Sequence, residues 1–415
     1  MPSPFHTPNP HALQAILEAA ETRSIIAATD IFDSQGIKLW AARQPVSAEL
    51  QRKLADRRLR DPLETSLVAE DGVDLAQLRE GLVELVDGSS ALAPLLRPHA
   101  DRLEREMGQL VLQPAAQLLL TAAEHGRPAS YHHAVAAMAV NGALAAAAGG
   151  DSPELRSAML AGLLHDLGEI YLSPRHGEAE ADREMDFESY QQLVVHPHVG
   201  FLIIKQLTNY PPSIAQAVAE HHEHLDGSGY PKALSDPAIT PQGRLLSVTE
   251  ALLNALRDPG APLLHASVAL RAVPGEFDPG WAGLVSQAAN AQPLASAVME
   301  PGDIGARREA LETLLAGAQA RVAELVREGG SPSMLQAVSL ADFLLQRVRT
   351  GWNESGLWSA SEPGAQNAAE VEAMEDELYR RLRGVLRATL LRAGELELQD
   401  AVRLQRFCDS LAMEG

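Results

Sequence analysis

The segment His221-His222-Glu223-His224-Leu225-Asp226-Gly227-Ser228-Gly229-Tyr230-Pro231 sets three imidazoles and two carboxylic acids against a glycine-rich loop. Upstream lies an adjacent pair, His165-Asp166. Neighbouring residues on a helix point about 100° apart, so a single metal ion takes both only with difficulty. Two ions bridged by the carboxylate suit such a dyad, and the His221-His222 doublet repeats the logic by addressing one ion with each ring. His196 adds an imidazole, Glu250 adds a carboxylate, and His132 and His133 offer an earlier pair. A lone His-Asp pair in a helix is more often a solvated or capping pair than a ligand. The weight comes from two dyads, a third histidine and a helix carboxylate in one region. The set is rich in imidazole and hard oxygen and has no thiolate, which suits iron, manganese or zinc rather than a structural cysteine–zinc site. Ions about 3.5–4 Å apart favour in-line attack on a phosphoester. His198 and His224 are expected to be bystanders, and Glu223 to orient a ligand histidine from behind.

These residues need helices to position them. "SPELRSAMLAGLLHDLG" predicts a helix with Ser152 as N-cap, Pro153 in the first helical position and Gly168 as its stop. "HPHVGFLIIKQL" starts a helix at Pro197. "PPSIAQAVAEHHEH" has Ser213 as its expected N-cap and runs to the glycine loop. "GRLLSVTEALLNAL" is a further apolar helix. Before this region, "SIIAATDIFDSQGIKLWAA" reads as strand, turn at Asp33 to Gly36, and strand. A helix follows with Ser47 as N-cap and Leu50 and Leu54 facing a core. Residues 75 to 110 read as connecting helices. After the region, helices are expected around 305–328, 333–351, 369–394 and 398–412. The first ten residues hold four prolines and are expected to be a flexible tail. The fold class is therefore mainly α, in three parts. A small N-terminal α+β module of undefined role spans 1–110, a run of helices carrying the candidate ligands 111–290, and a helical extension 291–415.

Composition narrows the partners. The chain has 415 residues, of which 46 % are apolar and 4 % aromatic, a balance that favours helices. Its formal net charge of −21 argues against binding a nucleic acid polymer or an anionic membrane surface. A small anionic ligand stays open, because a metal site reverses the local sign. The single cysteine, Cys408, forms no intrachain disulfide and fits a reducing cytoplasm. No signal peptide and no membrane span are expected.

In this order, "LLHDLGEIYLSP", "VVHPHVGFLI", "HHEHLDGSGYPKAL", "GRLLSVTEALLNAL" and "PGEFDPGW" resemble the HD-GYP family of metal-dependent phosphohydrolases. The resemblance covers roughly 130 to 290. It implies an all-helical HD-superfamily domain with two or three divalent metal ions, iron or manganese, and hydrolysis of cyclic di-GMP to the linear dinucleotide or GMP in cytoplasmic bacterial signalling. It assigns His165, Asp166, His196, His221 and His222 as ligands, with His165 and Asp166 at the catalytic centre. It also places Glu250 where the family has aspartate and favours His133 over His132 as the first ligand. Asp226, Gly227, Gly229, Tyr230 and Pro231 form the signature loop at the substrate. Two departures stand out. Glu169 takes the place of a lysine that would touch the substrate phosphate, and "RDPGAP" replaces an arginine–proline–tyrosine segment. An acid at 169 either joins the metal ligands or repels the phosphodiester. A cyclic dinucleotide is thus the expected substrate and GGDEF-type diguanylate cyclases are candidate partners, with a homodimer left open. Alternatives are a degenerate docking module and a hydrolase of another nucleotide.

Overall fold

Alanine and leucine supply most of the apolar surface, and the chain buries them mainly along helices. The computed structural model describes residues 4–174, 191–258, 260–292, 301–354, 365–392 and 396–412. They fall into two units, Met1–Glu250 and Ala251–Gly415.

The first unit opens with a 3-10 turn, Pro4–His6, and helix α1 (Pro10–Ala19). The proline-rich start is not the loose tail expected of it. Phe5 is buried, and the His6 ring meets the Leu59 carbonyl at 3.1 Å. Residues 1–3 lie outside the described residues. Strands β1 (Ile25–Ala27), β2 (Ile31–Phe32) and β3 (Lys38–Trp40) follow, then helices α2 (Ala48–Leu54) and α3 (Leu63–Ser66) and strand β4 (Leu67–Ala69). The expected hairpin is the β2–β3 pair. Asp33 Oδ1 accepts the N–H groups of Gln35 and Ile37 and closes its turn. β1 pairs instead with β4, which three residues are too few to announce by periodicity. Leu50 and Leu54 of α2 enter a core with Ile16, Ile25 and Ile31, while Ser47 holds the cap position without a side-chain bond.

Helices α4 (Leu75–Asp87), α5 (Ala93–Leu96), α6 (Ala100–Met107), α7 (Pro114–Gly126), α8 (Pro128–Ala147) and α9 (Ser152–Leu164) come next. The α9 cap is Asp151, not Ser152. Asp151 accepts the Glu154 N–H at 2.9 Å and Glu154 accepts the Asp151 N–H at 2.8 Å, a reciprocal box that a serine one residue later does not form. Ser152 donates to Glu106, and the helix starts one residue before the expected Pro153, which takes its second position. Helices α10 (His196–Leu207), α11 (Pro212–Glu220) and α12 (Pro241–Ala255) complete the scaffold of the site. Ser213 sits inside the first turn of α11, with Pro211 in the cap position. Asn141 on α8 ties three of these helices together. It donates to Ala158 of α9 at 2.7 Å and accepts from Thr249 of α12 at 2.9 Å, so buried polar groups fix the helix register.

The second unit is helical throughout its described elements. These are α13 (Leu263–Ala269), α14 (Pro279–Asn290), α15 (Pro301–Glu328), α16 (Pro332–Glu354), α17 (Ala365–Arg392) and α18 (Leu398–Ala412). A core of its own joins Leu315 of α15, Trp352 of α16, Leu378 of α17 and Phe407 of α18. Arg381 stands between Glu276 and Glu377 in a charged pair network. Burial works against its cation, but the two carboxylates hold its pKa above the ordinary value. No described helix is long and apolar enough to cross a membrane.

Candidate metal centre

Five helices deliver the histidines and acids, three of them from their ends. His165 follows the last residue of α9, His221 follows α11, and His196 opens α10. Each turns its Nδ1 to the carbonyl three residues earlier: His165 to Gly162 at 2.7 Å, His196 to Leu193 at 2.7 Å, His221 to Val218 at 2.6 Å. A carbonyl only accepts, so Nδ1 carries a proton and Nε2 is the atom each ring turns inward. His133 comes from α8 and Glu250 from α12. Close approach is needed where the dyad meets α10. A Cβ on Gly168 would stand 2.1 Å from the His196 carbonyl oxygen, which only glycine avoids.

The donor atoms form three overlapping groups among the described residues: His196 with His221 and His222, His133 with His165 and Glu250, and His165 with Asp166 and His221. Asp166 straddles them. Its Oδ2 lies 3.0 Å from His165 Nε2 and 3.7 Å from His133 Nε2, and its Oδ1 lies 3.3 Å from His196 Nε2 and 3.5 Å from His221 Nε2. Glu250 Oε2 stands 2.9 Å from His133 Nε2. The centre is dry, with His165 and His196 wholly buried and Asp166, His221, His222 and Glu250 nearly so.

Electrostatics favour a cation here. Burial pushes the carboxyls of Asp166 and Glu250 up, but His165 and His133 outweigh it and hold both well below the ordinary carboxylate range. Burial pulls His165 down, and Asp166 and Glu250 reverse this and hold it well above the usual histidine value. His221 is pushed down to about 3 by burial and by its neighbour His222, so it stays a neutral lone-pair donor. The Nε2 atoms of His196 and His221 face each other at 3.0 Å. Two lone pairs at that distance repel unless a cation or a shared proton joins them. A buried set of imidazoles and ionised carboxylates with converging lone pairs fits divalent metal ions.

His132 lies outside the cluster, its Nδ1 turned to the Pro128 carbonyl at 2.6 Å. His198 stacks on Phe201, and His224 pairs with the Ser228 hydroxyl at 2.9 Å. Glu223 does not orient a ligand histidine. Its two oxygens accept the N–H groups of Lys232 and Leu234 at 2.7 Å each and so fold the glycine loop back on itself. A carboxylate at the root of a loop meets backbone N–H groups that no helix or strand has claimed. Within the loop, Asp226 Oδ1 accepts the Ser228 N–H, Gly227 adopts φ +81°, and the Tyr230 ring stacks on His222 at 4.5 Å with Pro231 following. A Cβ on Gly229 would lie 2.3 Å from the His222 carbonyl oxygen. Glu169 is 1 % exposed and accepts the Ser130 hydroxyl at 3.0 Å. With Arg127, Ser130 and Asp166 it lines a small cavity of about 20 Å³. Asn141 and Ser130 carried no motif. A lone asparagine inside the apolar run "AMAVNGALAAAA" was the only sign of the former.

Residues 99–272 match a family described as HD domain. A cyclic di-GMP phosphodiesterase of Pseudomonas aeruginosa is 28 % identical over 214 residues, covering 50 % of this chain and 51 % of that protein. The cyclic di-GMP phosphodiesterase response regulator RpfG of Xanthomonas campestris pv. campestris is 32 % identical over 124 residues, 28 % of this chain and 31 % of that protein. The chain thus spans about half or less of the length of these curated relatives. Among solved structures, an HDG"Y"P protein from Bdellovibrio bacteriovorus aligns with a TM-score of 0.34 at 16 % identity, covering 65 % of this chain and 96 % of that one.

Proposed function

We propose that this chain, whose residues 99–272 match an HD domain, is a metal-dependent phosphodiesterase of the HD-GYP type that hydrolyses cyclic di-GMP to linear pGpG or GMP. The observation that carries the reading is Asp166, whose two carboxylate oxygens face two separate histidine groups across one buried centre. His133, His165 and Glu250 would hold one ion, and His196, His221 and His222 another, with Asp166 shared. Bound there, divalent ions, iron or manganese in this reading, would supply Lewis acidity toward a phosphoryl oxygen and a water of lowered pKa. His165 and Asp166 set the charge at the catalytic centre. Tyr230, braced on His222, offers an aromatic face to a guanine base, and Asp226, Gly227, Gly229 and Pro231 fix the loop that carries it. Glu169 brings no cation to the substrate phosphate, so the ions must meet that charge. A cytoplasmic location and the 1–110, 111–290 and 291–415 modules belong to the same proposal.

The test is anaerobic reconstitution with Fe²⁺ or Mn²⁺, followed by chromatography of products from cyclic di-GMP. Formation of pGpG or GMP, abolished by a chelator, is expected. The acid at 169 favours a second reading, a docking domain for GGDEF-type cyclases or for a second copy of the chain. Two bound ions with no turnover of cyclic di-GMP would move the assignment there.

A further inference from the structure

The N-terminal module converges on a single residue beside the dyad. Asp166 leads into the 3-10 turn Leu167–Tyr171, closed by the Glu169 N–H on the Asp166 carbonyl at 2.9 Å. Tyr171 ends that turn, and three separate parts of the module hold it. Asn9 Nδ2 donates to its carbonyl at 3.1 Å. Its hydroxyl donates to Glu64 Oε1 at 2.6 Å. Phe5 meets its ring edge-on at 5.6 Å. The next carbonyl, Leu172, accepts from the buried Arg127 at 2.5 Å. Polar contacts in a dry interior are directional, so they fix position where apolar packing alone would let the turn slide.

We infer that Asn9 and Glu64 are positioning residues for the Asp166 turn, acting on it through Tyr171. The inference rests on the metal reading of Asp166. Burial holds the Glu64 carboxyl above its ordinary range even against the Tyr171 hydrogen bond, so the pair is kept because its geometry is satisfied. The module of undefined role is thereby part of the site's support.

The experiment compares the full chain with Asn9→Asp, Glu64→Leu and Glu64→Gln. Asn9→Asp keeps the oxygen that caps α1, which accepts from His11 and Ala12, and replaces the donor to Tyr171 with an anionic oxygen. Glu64→Gln keeps the acceptor for the hydroxyl. Hydrogen exchange across residues 167–172 is expected to quicken about tenfold in Asn9→Asp and Glu64→Leu, as for loss of one hydrogen bond, and to match wild type in Glu64→Gln. Affinity of the metal-stripped protein for Mn²⁺, measured by calorimetry, is expected to fall about tenfold in the same two variants and recover in Glu64→Gln. Unchanged exchange in both variants overturns the grip. Faster exchange with unaltered Mn²⁺ affinity overturns the positioning role. A wild-type chain that takes up no Mn²⁺ overturns both the metal reading and that role. Failure to hydrolyse cyclic di-GMP touches only the substrate assignment. Should Glu64→Leu not fold, Asn9→Asp at a half-exposed helix cap carries both measurements.

Discussion

The proposed chemistry turns on Asp166, because its two oxygens reach toward different histidine groups. Asp166→Asn keeps the volume and removes the anion. It is expected to lower bound Mn²⁺ from two ions per chain to at most one, read by elemental analysis. Turnover should fall at least about 100-fold, the upper end of what loss of a mere supporting partner costs. The cluster was legible because two adjacent dyads, His165-Asp166 and His221-His222, are rare enough to be noticed. What aims the rings was not. Gly162, Leu193 and Val218 act through backbone carbonyls, which every residue type offers. Ser130 and Thr249 are likewise common residues whose partners are distant in the chain. Glu223 was noticed for its type and misplaced, since the loop's own N–H groups claim it.

Between residues and fold stand the elements, and here the glycine loop and the N-terminal module can be tested separately. Gly229→Ala places a methyl against the backbone of His222, His224 and Glu223. Overpacking of this kind costs about 1–3 kcal/mol, so a lower urea midpoint at unchanged slope is expected. Mn²⁺ uptake should weaken as well, because Tyr230 loses its seat on His222. In the module, burial raises the Glu64 pKa in the folded state. The stability linked to that proton is fully present below the unfolded pKa of about 4.5 and is lost as pH rises through the folded value. Glu64→Gln removes the titration, so its melting temperature relative to wild type is expected to climb between pH 5 and pH 8. Calorimetry at several pH values checks it, and a constant difference would count against the buried carboxyl. Helices were read well from apolar spacing, but their starts were less so. Asp151 beats Ser152 because Glu154 can reciprocate, and β4 is too short to show a period.

At the scale of the molecule, each unit owns a core. That of the second joins α13 and α15–α18 without any residue before Leu264. A fragment of residues 260–415 is therefore expected to keep a helical circular-dichroism spectrum and to melt cooperatively. A non-cooperative melt would show that its core is incomplete. The candidate metal centre lies within the first unit, since each of its proposed ligands lies at or before Glu250. The carbonyl bonds of His165, His196 and His221 have one more consequence. They lie within the chain and span three residues each, so the rings are ordered by covalently local partners and not by the ion. Most of the rotational entropy of those side chains is thus lost at folding rather than at capture. Removal and return of a divalent ion are then expected to form a cycle that leaves the fold as it was.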